Sequence, residues 1–534
     1  MAIERQSQAP LRVVIHGYCA LGIDQILARL SSRGVESLTE LEGEYVLVIE
    51  GREEQWLVSS ARGFEPYFYV EQNGILYHGL TVGRVVEASS LPWRWNVRAV
   101  ADLMRLDHLV GDASLHRDIR RLPAAAVLHH RRGQRATLII RPWSELHREA
   151  GPDPQRALDA LLTSVARWLE DDTALAISSG FDSRLLLAAC LHIGHRPELL
   201  VMGDDNSTDV VVSRAIARSF GLPLRHVKLD LPSYVEHAPK IAELTSGTKT
   251  ALHWHSYVFP LRTGLPRGRT VLVGTNGEWA RSDYLNLGLL SRTIDQLARP
   301  PLVSLAHRAY WFWKPRTLLH PEEIRQLAPE LRAELELPRQ KVAIRLARLC
   351  HGDTFLGGLD RFFTGERVRN FHANGLRLYG AHFAPRMPFL SREWMTAVAA
   401  LPRRWKLGSA WHRWAIQRLA PRLLDFPEGA RSPRTSPTPP PLYWVPPPLV
   451  PAPVPYASYD RILRDSGLLD LLAAQAGAMS ELIPPSFVMQ MVDEQWHGYP
   501  RTAAVATLLA LTTFANLRSK PGECMVPKGR DQIR

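Results

Sequence analysis

The chain has 534 residues, long enough for two or three domains, and its 46% hydrophobic and 22% charged content belongs to a globular protein, not a disordered or fibrous one. The formal charge of +12 could attract nucleic acid or an acidic membrane, but arginine is spread along the whole chain, with no dense basic tract and no zinc-finger or RNP-type motif, so no nucleic-acid partner is expected. Cys19, Cys190, Cys350 and Cys524 stand too far apart for a disulfide framework or a zinc pattern, which makes a reducing cytoplasm the expected compartment.

The first residues, Met1 to Gln8, carry no apolar signal region. Residues 11–145 read as β-rich. Strands are expected at Leu11–Ile15, Tyr45–Ile49, Gln55–Ser59, Tyr67–Val70 and Ile75–His78, with turns at Glu50-Gly51 and Asn73-Gly74. Helices are expected at Ile23–Arg33 and Trp95–Leu106, and Leu122–Leu128 leads into a further hairpin. After Trp143 the character changes. An amphipathic helix over Pro154–Leu169 precedes alternating strands and helices: Ala174–Ile177, helix 182–193, Leu199–Met202, helix 208–220, Arg225–Leu229, helix 233–245 and Thr270–Gly274. Short apolar strands between amphipathic helices predict a parallel sheet covered on both faces, with ligands at the carboxyl ends of its strands. From about Tyr310 the chain reads as mostly helical. Pro433 to Pro455 holds eleven prolines and reads as PPII-like loop, either a surface linker or a loop over the site. Thr502 to Leu517 is uncharged but too short for a bilayer span, and a buried terminal helix is expected there.

The stretch with most chemistry is Leu175-Ala-Ile-Ser-Ser-Gly-Phe-Asp-Ser-Arg184, ahead of the apolar Leu185–Cys190. A strand, a small-residue turn and a helix would put the N–H groups of Ser179, Gly180 and Phe181 at the positive end of a helix, which suits a phosphate. Ser178, Ser179 and Ser183 add hydroxyls, and Asp182 would face an anion only through a cation such as magnesium. An ordinary capped helix has the same pattern. Ser-Ser-Gly-Phe-Asp-Ser resembles the Ser-Gly-Gly-x-Asp-Ser pyrophosphate loop of the asparagine synthetase family of ATP-dependent amide-forming enzymes, with Ser179 in place of the first glycine. Val201–Asp209 resembles that family's adenine segment, with Met202 and Ile177 at its positions, although a methionine on a strand is also ordinary core. Gly274-Thr-Asn-Gly-Glu278 resembles its G-E-G-x-D-E loop, Thr275 replacing the residue beside the activated carboxylate and Glu278 a metal-binding Asp. Arg386-Met-Pro-Phe-Leu-Ser391 resembles R-x-P-F-L-D, which packs helices behind the site. In the downstream run that begins at Trp405, Arg431 and Arg434 stand nearest to the expected lysine.

The N-terminal part resembles the later portion of that family's glutaminase domain in Leu41–Ile49, Ala61–Tyr69 and Ile119–Pro123, and the resemblance covers roughly residues 38–435. The second residue is Ala2 where the glutaminases carry their nucleophilic cysteine, and Cys19 is internal, so this domain is expected to be glutaminase-dead, a scaffold or a substrate-recognition module. The resemblance thus implies an α/β protein with an antiparallel-sheet Ntn/glutaminase-like domain over 1–145 and a parallel-sheet ATP-pyrophosphatase (PP-loop) domain over 150–534 with a helical C-terminal part. It implies an ATP site at Ile177, Ser178, Ser179, Gly180, Asp182, Ser183, Met202, Val273 and Gly274, magnesium on Asp182 and Glu278, and catalytic roles for Thr275, Arg431 and Arg434. The implied reaction adenylates a substrate carboxylate, releases pyrophosphate and lets an amine attack. The truncated N-terminal domain is similar to that of lasso-peptide macrolactam synthetases, whose substrate is a precursor peptide delivered by a partner peptidase. Amidation with ammonia and a non-catalytic nucleotide- or partner-binding role are the alternatives.

Overall fold

The structure is a computed structural model, and it describes residues 11–141, 153–281, 302–313, 318–350, 354–428, 454–499 and 501–519. The protein is mixed α/β, with antiparallel sheets in the N-terminal part, a parallel sheet after them, and many helices. The first sheet runs β1 (Arg12–Cys19), β2 (Gly43–Glu50), β3 (Glu54–Ser59), β7 (Ala126–Arg131), β8 (Thr137–Ile140), antiparallel throughout. The second is β5 (Ile75–Gly79), β4 (Phe68–Gln72), β6 (Arg120–Arg121). Central β2 is buried on both faces because alternate residues meet different layers. Leu47 and Ile49 share a core with Ile26 and Leu30 of α1 (Ile23–Arg33), and Val46 and Val48 share one with Tyr67 and Leu76. The Asn73-Gly74 turn has φ of +53° and +71°, the mirror-image geometry a two-residue hairpin needs.

The elements expected in this region are present, the helix Ile23–Arg33 with the expected bounds and the others with at least one end shifted. Three more lie in this region: a 3-10 helix at Val35–Glu40, β6, and α2 (Val82–Ser89), which precedes α3 (Val97–Leu106). Cys19 ends β1, half-buried, and burial pushes its thiol up despite two backbone hydrogen bonds that act the other way. A thiolate nucleophile is disfavoured there.

The second part holds α4 (Pro154–Trp168) and a five-stranded parallel sheet in the order β11 (Leu224–Val227), β10 (Leu199–Met202), β9 (Ala174–Ala176), β12 (Thr270–Leu272), β13 (Ala384–Arg386). Helices α5 (Phe181–Ile193), α6 (Thr208–Phe220), α7 (Pro232–Thr245) and α8 (His255–Arg262) connect the strands. In chain order the sheet reads third, second, first, fourth, fifth. The chain moves outward from β9 to β11, then returns to the other side of β9 for β12. That reversal puts the switch point of the sheet between the carboxyl ends of β9 and β12, the place where open α/β sheets bind ligands. The Arg386–Ser391 stretch is not only helix packing, because Ala384–Arg386 is the edge strand, the position that tolerates Pro385.

The N-terminal sheets are fixed to the rest through the π-helical segment Phe363–His372. Arg121, 3% exposed, donates to the Arg369 carbonyl (2.7 Å), Asn370 Oδ1 (2.8 Å), and the carbonyls of Gly63 (2.8 Å) and Phe64 (3.1 Å). Arg369 returns to the Leu122 carbonyl at 2.8 Å and to Asp112 at 2.6 Å. Hydrophobic packing also crosses between the two parts: Val82, Val85 and Leu103 of α2 and α3 share one core with Ile241 of α7 and with Leu509 and Phe514 of the helix Thr502–Ser519. That helix is buried over residues 504–515, and no described helix is long and apolar enough to cross a membrane.

Candidate functional site

β9 ends at Ala176, and the turn Ile177–Gly180 feeds α5, whose N-cap is Gly180. Gly180 has ordinary φ and ψ of −78° and 156°; its role is openness, since a Cβ there would meet only the Ser178 hydroxyl within 4 Å. The loop is braced from within. Ser178 N–H donates to Ser183 Oγ (3.0 Å), and Gly180 N–H to Ser178 Oγ (3.3 Å). Ser179, expected to offer a free donor to phosphate, instead gives both its N–H (2.8 Å) and its hydroxyl (2.5 Å) to Asp209 Oδ1 from the first turn of α6. A carboxylate from within the chain thus occupies the first donor of the loop. Ile177 N–H is also committed, to Leu200 O at 2.9 Å, and the Ile177 side chain is 5% exposed. Met202 is half-buried at the end of β10, and Val273 is buried with its N–H on the Arg386 carbonyl (3.0 Å).

The turn after β12 lies directly against α5. A Cβ on Gly274 would sit 3.2 Å from Asp182 Cβ, and one on Gly277 only 2.4 Å from Asp182 Cγ. Asn276 takes the left-handed conformation (φ +73°) and donates to the Phe389 carbonyl at 2.9 Å, which fixes the turn. With successive Cα atoms about 3.8 Å apart, the Cα of half-buried Glu278 lies within about 8 Å of the Asp182 carboxyl carbon. Thr275 is half-buried on the same turn and makes no side-chain hydrogen bond to described residues. Gly277→Ala is therefore expected to push the Asp182 carboxyl away and cost about 1–3 kcal/mol, checked by the thermal midpoint; unchanged stability would contradict this packing.

Asp182 differs most from its sequence reading. Its Oδ2 meets Arg281 Nη2 at 2.5 Å, and its Oδ1 lies 2.9 Å from His412 Nε2. Burial alone would raise this carboxyl, but Arg281 and then His412 more than offset it and hold it below the usual range. Arg281 already pairs with Oδ2 and His412 lies against Oδ1, and no group of three or more His, Cys, Asp or Glu side chains could hold a metal among the described residues, so the magnesium expected on Asp182 finds no preformed ligand set there. Arg431 and Arg434 lie outside the described residues, as does most of the proline-rich segment. The described chain before that segment ends at Glu428, which accepts from Arg413 at 3.2 Å. At its far end Val454 N–H donates to Thr208 Oγ1 at 2.9 Å, so both ends are anchored at this edge of the sheet.

Sequence reading missed several residues here. Arg184, fully buried, donates to the carbonyls of Ser179, Leu423, Phe426 and Pro427 and ties the loop to the segment before Glu428. Arg413 stands 4.4 Å from the Phe181 ring centroid. Lys406, 7% exposed, pairs with Asp360 at 2.9 Å and lies 5.2 Å from the Trp279 ring, behind the Gly274–Arg281 turn. Arg184 and Asp209 fall inside the quoted motifs, Arg281 three residues past Glu278, and Lys406, His412 and Arg413 in the run that begins at Trp405, but nothing local distinguishes them from surface charges. Apolar neighbours around Arg184 and His412 were the available signal. No family model matches the chain, and no curated protein matches it.

Proposed function

We propose that the chain is an ATP-dependent amide-forming ligase of the asparagine synthetase type, with its nucleotide at the Ser178–Ser183 loop. What supports the reading is one observation: this loop opens α5 at the point where strand order reverses, against the Gly274–Arg281 turn, with three arginines gathered around the first turn of α5. In the proposed reaction a substrate carboxylate oxygen attacks the α-phosphorus, the bond to pyrophosphate breaks, and an acyl-adenylate forms. An amine then attacks the acyl carbon, AMP leaves, and the amine loses a proton. The chain's own work is positioning and charge stabilisation. The positive end of α5 favours the phosphates, and the carboxyl edge of the sheet brings carboxylate and amine together. With both groups on one peptide the product is a macrolactam, the lasso-type reading, with the precursor peptide supplied by a partner peptidase; with ammonia it is a simple amide.

One observation favours a second reading, a non-catalytic nucleotide- or partner-binding protein: Asp182 is already paired with Arg281, and both Ser179 donors are taken by Asp209. Pyrophosphate release from ATP by the full chain, measured with and without carboxylate peptides, separates the two. The ligase reading expects release that depends on both substrates, and nucleotide binding without release would overturn it. Glutamate release from glutamine is expected to be absent, and Cys19→Ser to leave ligation unchanged.

A further inference from the structure

The turn after α7 and the π-helical segment gather basic side chains that the proposed reaction does not use. Gly247, with φ +73°, passes so close to the terminal helix that a Cβ would lie 2.7 Å from Phe514 Cβ. That contact carries Lys249 into the interior, where it is 4% exposed. Its ammonium donates to the Phe371 carbonyl at 3.1 Å and lies 3.6 Å from the centroid of the Phe371 ring. No carboxylate pairs with it among the described residues. The carboxylate whose charge reaches it, Asp107, is engaged by Arg367 at 2.7 Å, and Arg367 itself opposes the Lys249 charge.

Around this ammonium stand half-buried imidazoles. The His253 ring is 5.1 Å from Phe371, 5.7 Å from His255 and 5.9 Å from Tyr459. His255 Nδ1 is 3.2 Å from the Tyr456 hydroxyl, which donates to Tyr459 at 2.9 Å. His372 lies 5.5 Å from Phe371. The charged groups acting on the cluster are Lys249, Arg367, Asp107 and the histidines, with His108 acting on His372. Burial first, then neighbouring positive charge, brings Lys249 down to about 7 and His255 to about 3, and lowers His253 and His372. Buried groups that resist protonation because their counter-charge is missing accept an anion, which supplies it.

We propose that Lys249, His253, His255 and His372, walled by Phe371, Tyr456 and Tyr459, bind the carboxylate of a substrate that also carries an apolar or aromatic group. Tyr456 ties the cluster to the segment that leads into α6. Tyr456 accepts at its carbonyl from Asp204 N–H (3.2 Å), and its hydroxyl feels the charge of Asp209, the residue that holds Ser179. Asp209 disfavours a polyanion on this side more than a single carboxylate, and the aromatic walls suit an organic acid over free phosphate. The inference rests on the ligase reading for the word substrate, while the site itself is testable without nucleotide.

The experiment is calorimetric titration of the full chain at about pH 7.5, in two buffers of different ionisation heat, with phenylacetate, phenylacetamide and inorganic pyrophosphate. A bound carboxylate raises the Lys249 pKa, so phenylacetate is expected to bind with net proton uptake and at least about tenfold more tightly than the neutral amide. Lys249→Met is expected to lose that preference and the proton uptake, and His253→Gln to weaken binding with folding intact. Equal binding of acid and amide, binding by the wild-type chain without proton uptake, or unchanged binding in Lys249→Met would overturn the site. Pyrophosphate binding with Lys249-dependent proton uptake, in place of phenylacetate, would overturn the carboxylate assignment. Carboxylate binding in a chain that releases no pyrophosphate from ATP would leave the site standing and remove the ligase reading.

Discussion

Asp182→Asn is expected to lower pyrophosphate release by about a hundredfold or more, the size of effect seen when an organising charge leaves a buried site, while the chain stays folded. Asp182→Ala tests something else. It leaves Arg281 buried and facing no carboxylate from α5, with His412 beside it, at a cost of about 3–5 kcal/mol. The alanine variant alone would therefore confuse lost chemistry with lost structure. Pairing Asp182→Ala with Arg281→Met should recover stability without recovering activity. A pH series adds an independent sign. The Asp182 carboxyl is held below its usual range, so it protonates later in the fold than in the unfolded chain. Its stabilising contribution is complete above the unfolded value of about 3.9 and is lost as pH falls through the depressed folded value. In Asp182→Asn that part of the acid limb disappears from the denaturation midpoint. Undiminished pyrophosphate release in Asp182→Asn would remove the ligase reading.

Arg184→Met is expected to be the most destabilising single change near the loop, by about 3–5 kcal/mol. The side chain is fully buried, and its guanidinium reaches acceptors from two separate stretches, Ser179 on the loop and Leu423, Phe426 and Pro427 beyond the helix Ala410–Leu419. Removing it strands those carbonyls and frees the loop from the segment that braces it. Arg184→Lys should rescue little, since one compact ammonium cannot span acceptors set for a planar fork. Hydrogen exchange across 178–184 should accelerate together with the fall in the thermal midpoint. A loss below about 1 kcal/mol, with exchange unchanged, would show that the loop is positioned by α5 alone.

How much of this could be read in advance follows the range of the interactions. The hairpin at Asn73-Gly74, the helix at Ile23–Arg33 and the strand–loop–helix at Leu175–Ile193 are local: turn geometry, apolar period and a small-residue N-cap all act within a few positions. The edge strand Ala384–Arg386 is three residues long and contains a proline, so no periodicity announces it; it exists because β12 offers it a partner.

The amino-acid order by itself therefore determined the alternation of short apolar strands with helices, the antiparallel character of the first part, and a loop shaped to open a helix with its donors forward. Only the tertiary structure decided what those donors and charges meet. Strand order placed β9 beside β12, and with it the Asp182 carboxyl against Gly277 and in contact with Arg281, 99 positions along the chain. It set Asp209 on Ser179 across 30 positions, and the Phe371 carbonyl over Lys249 across 122. The reason is physical. Local propensity and period are properties of a short window of chain, whereas desolvation and ion pairing depend on which distant segments the topology brings together. A charged residue's role follows from the company it keeps once water has left.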